Sequence, residues 1–485
     1  MTKRAGTVCG IPPKHAASWS RAYAGQPLLR TNIGIFGAMN SGKSTLMNLI
    51  SQQETSIVDS KPGTTADTKV ALMEMHDLGP VKLFDTPGID EEGLLGEKKR
   101  RKAFDVLKEC NAAVVVVNPF NPASLKAARD VIQEASAKQK KGDDSAQMRV
   151  MVVFNVFGQQ TAEIRKATNT ILDAAEKSLT PDGTNLQITS IALDLNSPEA
   201  IGRVVKFVTT NTKPHSSNVS LLPSALQLGP DSVVFLNIPM DAETPSGRLL
   251  RPQALVQEEL LRQYASTFCY RMDLKKARSP IEEERREEEQ RFRSSVDALK
   301  SQNKLKLLIT DSQATDVVHK WTMEPGTAAP SDQGGQSSQE TVPLTTFSVM
   351  MINYMSGGRL SAFVEGIKRF ETLKHGDKVL ICEACNHDRT QDDIGTVQIP
   401  AKLRQRFGEG TIGVDHAFGR EYQTKILNDY QLVIHCGGCM LDQQKMAARL
   451  SDIEGSGVPI TNYGLLLSYL AAKQGLSRVL RPWGL

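Results

Sequence analysis

The chain has 485 residues, of which 40% are apolar and 23% are charged, and its formal net charge is +4. This length favours roughly three domains, because single hydrophobic cores stop growing well below this size. No apolar run reaches the roughly 18 residues that cross a bilayer, so we expect a soluble protein without a membrane partner. The small net charge argues against a general nucleic-acid coat protein.

Seven cysteines occur in the chain, and four of them lie in its last quarter. A secreted disulfide framework normally uses a short chain, so this distribution favours a reducing compartment and a metal or redox role. Residues 1–30 contain several basic residues and neither Asp nor Glu. This flexible basic leader weakly resembles an organelle transit peptide, with a disordered tail as the alternative.

The first motif is a phosphate-binding loop between an apolar strand and a helix. "NIGIFG" predicts the strand, "TLMNLI" predicts the helix, and the residues around their junction match G-x-x-x-x-G-K-S. Glycines at this spacing let successive backbone N–H groups point at phosphates, while the lysine reaches the β- and γ-oxygens and the serine ligates Mg²⁺. The predicted nucleotide contacts are Gly37, Asn40, Ser41, Gly42, Lys43, Ser44 and Thr45.

Two segments downstream have the composition of nucleotide-sensing switches. "VKLFDTPG" is an apolar run that ends in Asp85, a second Mg²⁺ contact, and Gly88, whose N–H would face the γ-phosphate. "PGTTAD" offers Thr64 or Thr65 to complete the metal shell, and its alternative is a Pro-Gly turn with solvated hydroxyls. The predicted catalytic residues are Lys43, Thr65, Asp85 and Gly88, and the predicted Mg²⁺ ligands are Ser44, Thr65 and Asp85.

Further strands are predicted at "AAVVVV" and "RVMVVF", with helix-length segments between them. This alternation predicts a mostly parallel sheet with helices on both faces. Together the motifs resemble the small Ras-like GTPases of the translation-factor-related group that includes Era and TrmE. That resemblance implies slow GTP hydrolysis, and it links an asparagine placed as Asn40 to K⁺ binding, so K⁺ stimulation is expected.

The base-recognition motif departs from the usual form of that group. N-K-x-D is expected after the strand that ends at Phe154, but the sequence there is "NVFG". Asn155 is present, whereas the lysine that stacks on the base and the aspartate that binds guanine are absent. Rejection of the wrong base depends on such polar groups, so we expect weaker discrimination against ATP. Ser190, within "TSIA", is the candidate for the fifth nucleotide motif.

The middle of the chain predicts a small α/β domain without catalytic residues, suited to assembly. "SVVFLNIPM" and "LKLLIT" predict strands, and "IEEERREEEQRFR" predicts a charged helix or a solvated insertion. Polar segments at 214–224 and 324–340 predict linkers. A helix over "PQALVQEELLRQY" is predicted to present on one face Val256, Leu260, Leu261 and Tyr264.

The last quarter contains two cysteine clusters, each at the end of a predicted strand. Their members are Cys382, Cys385, His387, His435, Cys436 and Cys439. Ligands bind beyond the carboxyl ends of parallel strands, so we expect the two clusters to meet at one metal site. Spacing alone allows Zn²⁺ held by four cysteines, a redox dithiol or an iron–sulfur cluster.

The order C-x-H and then H-C-x-x-C, beneath an N-terminal GTPase domain, resembles the HydF family of FeFe-hydrogenase maturation factors. The likeness runs from about residue 31 to the end and includes "GPVKLFDTPGIDEEGLLGE", "PSGRLLRPQ", "LLITDSQA", "VPLTTFS" and "HCGGCM". It implies a 4Fe–4S cluster with an open or exchangeable fourth position, held by Cys385, Cys436 and Cys439, with His387 and His435 as auxiliary groups. Cys382 lies outside the family motif and is either a small strand residue or a fourth thiolate.

The resemblance also implies an architecture and partners. The fold class is α/β, with a basic leader (1–30), a Ras-like P-loop GTPase domain (31–213), a small α/β dimerisation domain (226–323) and an α/β iron–sulfur cluster-binding domain (341–485). The cofactors would be GTP, Mg²⁺, K⁺ and the 4Fe–4S cluster, with a diiron precursor of the hydrogenase active site as cargo. Expected partners are the apo-hydrogenase, its radical-SAM maturases and a second copy of the chain, with no nucleic acid.

The protein would reside in the cytoplasm, or in the matrix of a hydrogenosome, mitochondrion or chloroplast if the leader is a transit peptide. The alternative is an Era- or TrmE-like GTPase in RNA or ribosome maturation, with a C-terminal zinc domain.

Overall fold

The computed structural model describes residues 30–51, 68–75, 78–138, 148–156, 173–174, 177–179, 186–212, 219–239, 249–323, 342–384, 393–419, 422, 426–438 and 441–485. Several predicted features lie outside these ranges: the leader up to residue 29, Thr64, Thr65, Cys385, His387, Cys439, residues 214–218 of the first linker and the whole second linker. No described helix is both long enough and apolar enough to cross a bilayer.

The described strands are β1 Thr31–Gly37, β2 Lys69–Met75, β3 Gly79–Asp85, β4 Ala112–Val117, β5 Arg149–Asn155, β6 Ile188–Leu193, β7 Val233–Asn237, β8 Ser266–Tyr270, β9 Leu305–Thr310, β10 Leu344–Thr346, β11 Lys378–Glu383, β12 Gly413–Phe418, β13 Leu432–His435 and β14 Ile460–Asn462.

The described helices are α1 Lys43–Ser51, α2 Gly93–Lys108, α3 Pro122–Lys138, α4 Ala200–Asn211, α5 Arg251–Arg262, α6 Leu274–Ala277, α7 Glu282–Lys300, α8 Thr315–Trp321, α9 Phe347–Met355, α10 Leu360–Glu371, α11 Ile399–Phe407, α12 Gln443–Glu454, α13 Tyr463–Ala471 and α14 Lys473–Leu480.

The chain divides into two compact units, one drawn from residues 28–217 and 442–449 and the other from 218–441 and 450–485. The first unit is built on a six-stranded sheet with the order β2-β3-β1-β4-β5-β6. Strand β2 runs antiparallel to β3, and the remaining neighbours are parallel. Separate hydrophobic cores cover the two faces of the sheet, which is why the alanine and valine residues of β4 are all buried. The predicted Ras-like α/β arrangement is confirmed.

The middle of the chain forms a four-stranded parallel sheet with the order β10-β9-β7-β8. Strand β10 lies beyond the second predicted linker, yet Leu344 pairs in register with Leu308 of β9. The residues 344–346 therefore complete the middle sheet, although the predicted boundary put them in the last domain. A local apolar pattern cannot assign a three-residue strand to one of two sheets, because the choice depends on long-range pairing.

Residues 282–293 of the charged segment are part of helix α7, and this helix packs against the middle sheet. Phe292 is fully buried, and its ring lies edge-on at 5.4 Å from the rings of both Phe235 and Tyr270. Glu288 is buried as well and accepts a hydrogen bond from the Tyr270 hydroxyl at 3.0 Å. The helix is thus a structural element of the middle sheet, and the alternative of a solvated insertion is wrong.

Helix α5 buries a narrower face than its sequence predicts. Val256 and Leu260 are buried, but Leu261 is 68% exposed and Tyr264 is 79% exposed. Leu261 follows Leu260 by about 100° around the helix, which takes it off the buried face. Tyr264 lies beyond the last helical residue and has a positive φ of 59°. The prediction that all four side chains share one face is therefore wrong.

The last part of the chain forms a second four-stranded parallel sheet with the order β12-β11-β13-β14. Strands β11 and β13 are neighbours, and Cys382 pairs in register with His435. Both strands therefore end at the same level, and the chain segments that follow them start from one edge of the sheet. That edge is where open α/β sheets bind ligands.

Replacing Phe292 with alanine should destabilise the protein by about 3–5 kcal/mol, because the change leaves a large cavity in an aromatic core. Chemical denaturation followed by circular dichroism measures this loss. Ile281→Ala, at the exposed start of the same helix, is the matched control and should cost less than about 1 kcal/mol. Equal effects of the two substitutions would contradict the packing of α7.

Candidate functional site

The loop after β1 has the conformation that its glycines predict. Gly37 and Gly42 have φ values of 145° and 105°, and Asn40 has a φ of 59°. These are conformations that glycine adopts freely and that asparagine tolerates better than most residues. A Cβ atom on Gly37 would also overlap the carbonyl oxygen of Val116 in the neighbouring strand. Both the turn and the close approach of two backbones therefore require glycine here.

The predicted magnesium ligands Ser44 and Asp85 meet at the carboxyl edge of the sheet. The Ser44 hydroxyl donates a hydrogen bond to Asp85 Oδ2 at 2.8 Å. Asp85 is fully buried at the end of β3, so its carboxylate is held against the first turn of α1. A hydroxyl and a carboxylate at this spacing fit a Mg²⁺ ion, which prefers oxygen ligands. Thr65, the third predicted ligand, lies outside the described residues.

Lys43 is buried within the same loop, and its Nζ donates a hydrogen bond to the carbonyl of Ala38 at 2.6 Å. Burial lowers the pKa of Lys43 to about 8, whereas the nearby carboxylates of Asp85 and Asp90 act in the opposite direction. An additional anion near this buried lysine would stabilise its charged form. The position suits a contact to a nucleotide phosphate.

Gly88 packs directly against this loop, because a Cβ at Gly88 would lie 2.9 Å from the backbone nitrogen of Met39. The segment after β3 therefore runs beside the phosphate loop, as the predicted γ-phosphate contact requires. The Met39 N–H also donates a hydrogen bond to Asp90 Oδ1 at 2.6 Å. Sequence reasoning missed Asp90, since an acid two residues after Gly88 has no distinctive pattern.

Asn155 retains a structural role although the rest of its motif is degraded. Its amide donates a hydrogen bond to the carbonyl of Ser41 at 3.2 Å and accepts one from the Leu195 N–H at 3.4 Å. Asn155 thus connects the phosphate loop to the segment that follows β6. Ser190 lies within β6, paired with Val152, whereas the loop that reaches Asn155 begins after Leu193. Ser190 therefore stays a prediction for the fifth motif.

Near the second predicted site, Cys436 lies at the shared edge of β11 and β13. Its backbone N–H donates a hydrogen bond to the carbonyl of Cys382 at 2.9 Å. Its sulfur accepts a hydrogen bond from the Ala384 N–H at 3.2 Å. Ala384 is the last described residue after β11, so the end of this strand contacts the Cys436 sulfur. A half-buried sulfur that accepts a backbone N–H fits the thiolate ligand of a metal centre.

His435 and Cys382 are both fully buried at the ends of their strands. His435 Nδ1 lies 2.6 Å from the carbonyl of Cys436 and therefore donates a hydrogen bond to it. This contact fixes the imidazole at the start of the cysteine loop. The burial of Cys382 within β11 suits a small strand residue.

The other predicted ligands, Cys385, His387 and Cys439, lie outside the described residues. Among the residues that the structure does describe, no group of three or more His, Cys, Asp or Glu side chains is arranged to hold a metal ion.

The sheet order, the phosphate loop and the Ser44–Asp85 pair define the first unit as a P-loop GTPase domain. Residues 32–156 match the family described as 50S ribosome-binding GTPase. Residues 361–482 match the family described as Hydrogen maturase F tetramerization domain. A GTPase match and a Hydrogen maturase F match in one chain confirm the recognition of HydF with an Era/TrmE-like GTPase domain. The matched tetramerization domain lies in the part of the chain that was expected to bind the cluster, whereas the sequence placed assembly in residues 226–323.

Two curated relatives each match less than a third of this chain. The tRNA modification GTPase MnmE of Acidiphilium cryptum is 40% identical over 106 residues, which cover 20% of this chain and 24% of the relative. A mitochondrial 5-taurinomethyluridine-[tRNA] synthase subunit, GTPB3 of Mus musculus, is 31% identical over 136 residues, covering 28% of this chain and 27% of the relative. The chain thus spans about a quarter of the length of these relatives.

A solved structure of Aquifex aeolicus Era bound to GDP.AlF4- is also similar to this chain. It is 18% identical, covers 53% of this chain and 98% of that chain, and has a TM-score of 0.31.

Because Asn155 is the only residue of N-K-x-D present, we expect weaker selectivity for GTP over ATP than in GTPases with the complete motif. Competition binding of the two nucleotides against a labelled GDP measures the ratio of their affinities. Strict preference for GTP would show that another residue reads the base. In that case the alignment of this motif to residues 155–158 would be wrong.

Proposed function

We propose that the protein is a GTP-hydrolysing maturation factor of FeFe-hydrogenase. It holds a 4Fe–4S cluster, receives the diiron precursor of the hydrogenase active site as cargo, and delivers it to the apo-hydrogenase. The match of residues 361–482 to the Hydrogen maturase F family and the GTPase match at 32–156 support this proposal. Radical-SAM maturases would supply the cargo.

The single observation on which the proposed cluster site rests is the hydrogen bond from the Ala384 N–H to the Cys436 sulfur. Ala384 directly precedes Cys385 in the first cysteine cluster, and Cys436 is the first cysteine of the second cluster. Their contact supports a site in which thiolates from both segments converge, as parallel strands with level ends would require.

In this proposal Cys385, Cys436 and Cys439 hold the cluster, and His387 and His435 are auxiliary groups. When bound, the cluster would supply an iron with an exchangeable fourth position where cargo can dock. The Ala384 N–H would stabilise the negative charge on the Cys436 thiolate, because hydrogen bonds to charged acceptors are stronger. The contact between His435 and the Cys436 carbonyl would orient the cysteine loop.

The nucleotide site would hydrolyse GTP slowly with Mg²⁺ and faster with K⁺. The exposed side chain of Asn40, on a loop residue with positive φ, is the proposed K⁺ contact. Lys43→Ala should abolish turnover, since it removes the charge that stabilises the transferring phosphoryl group. Asn40→Ala should retain basal hydrolysis and lose the increase seen when K⁺ replaces Na⁺.

Release of inorganic phosphate, measured in K⁺ and in Na⁺ buffers, checks both expectations. Lys98→Ala, on the exposed face of α2, is the matched control for loss of a lysine and should hydrolyse GTP normally. Unchanged turnover in Lys43→Ala would contradict the assignment of the nucleotide site.

For the cluster, serine at any one of Cys385, Cys436 or Cys439 should abolish 4Fe–4S assembly and hydrogenase activation. Two remaining thiolates are too few to retain a four-iron cluster, which cysteines hold by direct ligation. Cys382→Ser is the matched control and should keep the cluster, because its side chain is buried within β11. The measurements are iron content and paramagnetic resonance of the reduced cluster, in protein purified without oxygen.

Each cysteine variant should keep GTP hydrolysis and the molar mass of the native assembly. We propose that this assembly exceeds the 53.1 kDa of one chain, because residues 361–482 match a tetramerization family. Cluster loss in Cys382→Ser with retention in Cys385→Ser would reverse the assignment. Zinc in place of iron throughout would favour the alternative, a GTPase of RNA or ribosome maturation.

A further inference from the structure

Asp90 joins the segment after β3 to the phosphate loop. Its Oδ1 accepts a hydrogen bond from the Met39 N–H at 2.6 Å. Met39 is the third residue of the loop that starts at Gly37, so Asp90 holds the loop through its backbone. The contact does not depend on the side chain of Met39.

Two groups place this carboxylate beside the expected γ-phosphate position. Gly88, the predicted γ-phosphate contact, packs against the Met39 backbone. Lys43, which would reach the β- and γ-oxygens, donates a hydrogen bond from its Nζ to the carbonyl of Ala38, the residue before Met39. A γ-phosphate bound between Gly88 and Lys43 would therefore bring its negative charge close to the Asp90 carboxylate. Like charges in a partly buried site repel strongly, because the effective dielectric constant is lower than that of water.

The segment that follows Asp90 is tightly connected to the start of α2. Glu91 forms an ion pair with the largely buried Lys99 on that helix. A Cβ on Gly96 would overlap the Glu91 carbonyl, so the first turn of α2 packs directly on Glu91. A displacement of Asp90 would therefore reach the N-terminal turn of α2 through Glu91.

We propose that Asp90 senses the γ-phosphate: its carboxylate holds the Met39 backbone with GDP bound, and the charge of a γ-phosphate displaces it and releases residues 90–96. Asp90 then sets the relative affinity of the domain for GTP and GDP. It is a positioning and specificity residue, since it acts through the loop and through α2. This inference goes beyond the proposed binding of GTP. The affinity for GDP tests nucleotide binding separately, because GDP has no γ-phosphate for Asp90 to sense.

Asp90→Asn isolates the charge, because the amide oxygen still accepts the hydrogen bond from Met39. We expect the Kd of a non-hydrolysable GTP analogue to fall roughly tenfold and that of GDP to change by less than about twofold, the scale for a like-charge pair in a partly solvated site. Fluorescent derivatives of both nucleotides, titrated onto the full chain with Mg²⁺, give the two constants.

Glu92→Gln is the matched control. It removes the same charge from the same segment, but Glu92 is exposed and its side chain caps no backbone N–H of α2. The ratio of the two affinities should not change in this variant. An equal gain in Glu92→Gln would overturn the proposal, since any acid of the segment would then have the same long-range effect.

Hydrogen exchange provides a second measurement, because it reports directly on the backbone of residues 90–96. In the native protein, the amides of residues 90–96 should exchange faster with the GTP analogue than with GDP. In Asp90→Ala, which loses both the charge and the hydrogen bond, exchange should be fast with either nucleotide. Unchanged selectivity in Asp90→Asn, weaker binding of the analogue, or exchange that does not respond to nucleotide would each refute the proposal.

Discussion

Parallel pairing between strands that are distant in sequence is the constraint on which both candidate sites depend. In the GTPase domain, β1 pairs with β3 so that Ile35 lies opposite Asp85. This register brings the end of β3 to the loop after β1, and Ser44 contacts Asp85 across 41 sequence positions. A shift of one residue would turn Asp85 to the other face of the sheet and separate the carboxylate from the hydroxyl.

The same constraint operates in the last sheet, where β11 pairs with β13. The register of Cys382 with His435 makes the two strands end together, and the Ala384 N–H reaches the Cys436 sulfur across 52 positions. Strands that are buried on both faces offer no solvent-exposed polar side chains along their length. The candidate site residues of both domains are therefore expected where strands end, and the sheets serve as rigid supports.

In the middle sheet, packing decides the role of a segment whose local sequence is mainly charged. Residues 281–293 are dominated by charge, yet a single aromatic residue, Phe292, anchors the helix in a core with Phe235 and Trp321. Most of the charged side chains face solvent, where they form ion pairs along the helix, such as Arg293 with Glu289. Such pairs contribute little stability, so the burial of Phe292 decides where the helix lies.

The sequence by itself determined the elements that short-range chemistry specifies. The strands β4 and β9 occupy the same residues as the predicted "AAVVVV" and "LKLLIT" segments, because runs of β-branched and aliphatic residues favour buried strands. The phosphate loop followed from glycine spacing, since only certain residues tolerate its backbone conformation. The two family resemblances also rested on motifs of this local kind.

Only the tertiary structure decided which distant segments meet. It placed β10 in the middle sheet, Asp90 on the Met39 backbone, and the Ala384 N–H on the Cys436 sulfur. It also separated Leu260, which is buried, from the exposed Leu261 next to it. These outcomes depend on strand register, close approach of backbones and the direction in which a helix faces its sheet. No periodicity within one segment contains that information, because each contact is a property of two segments together.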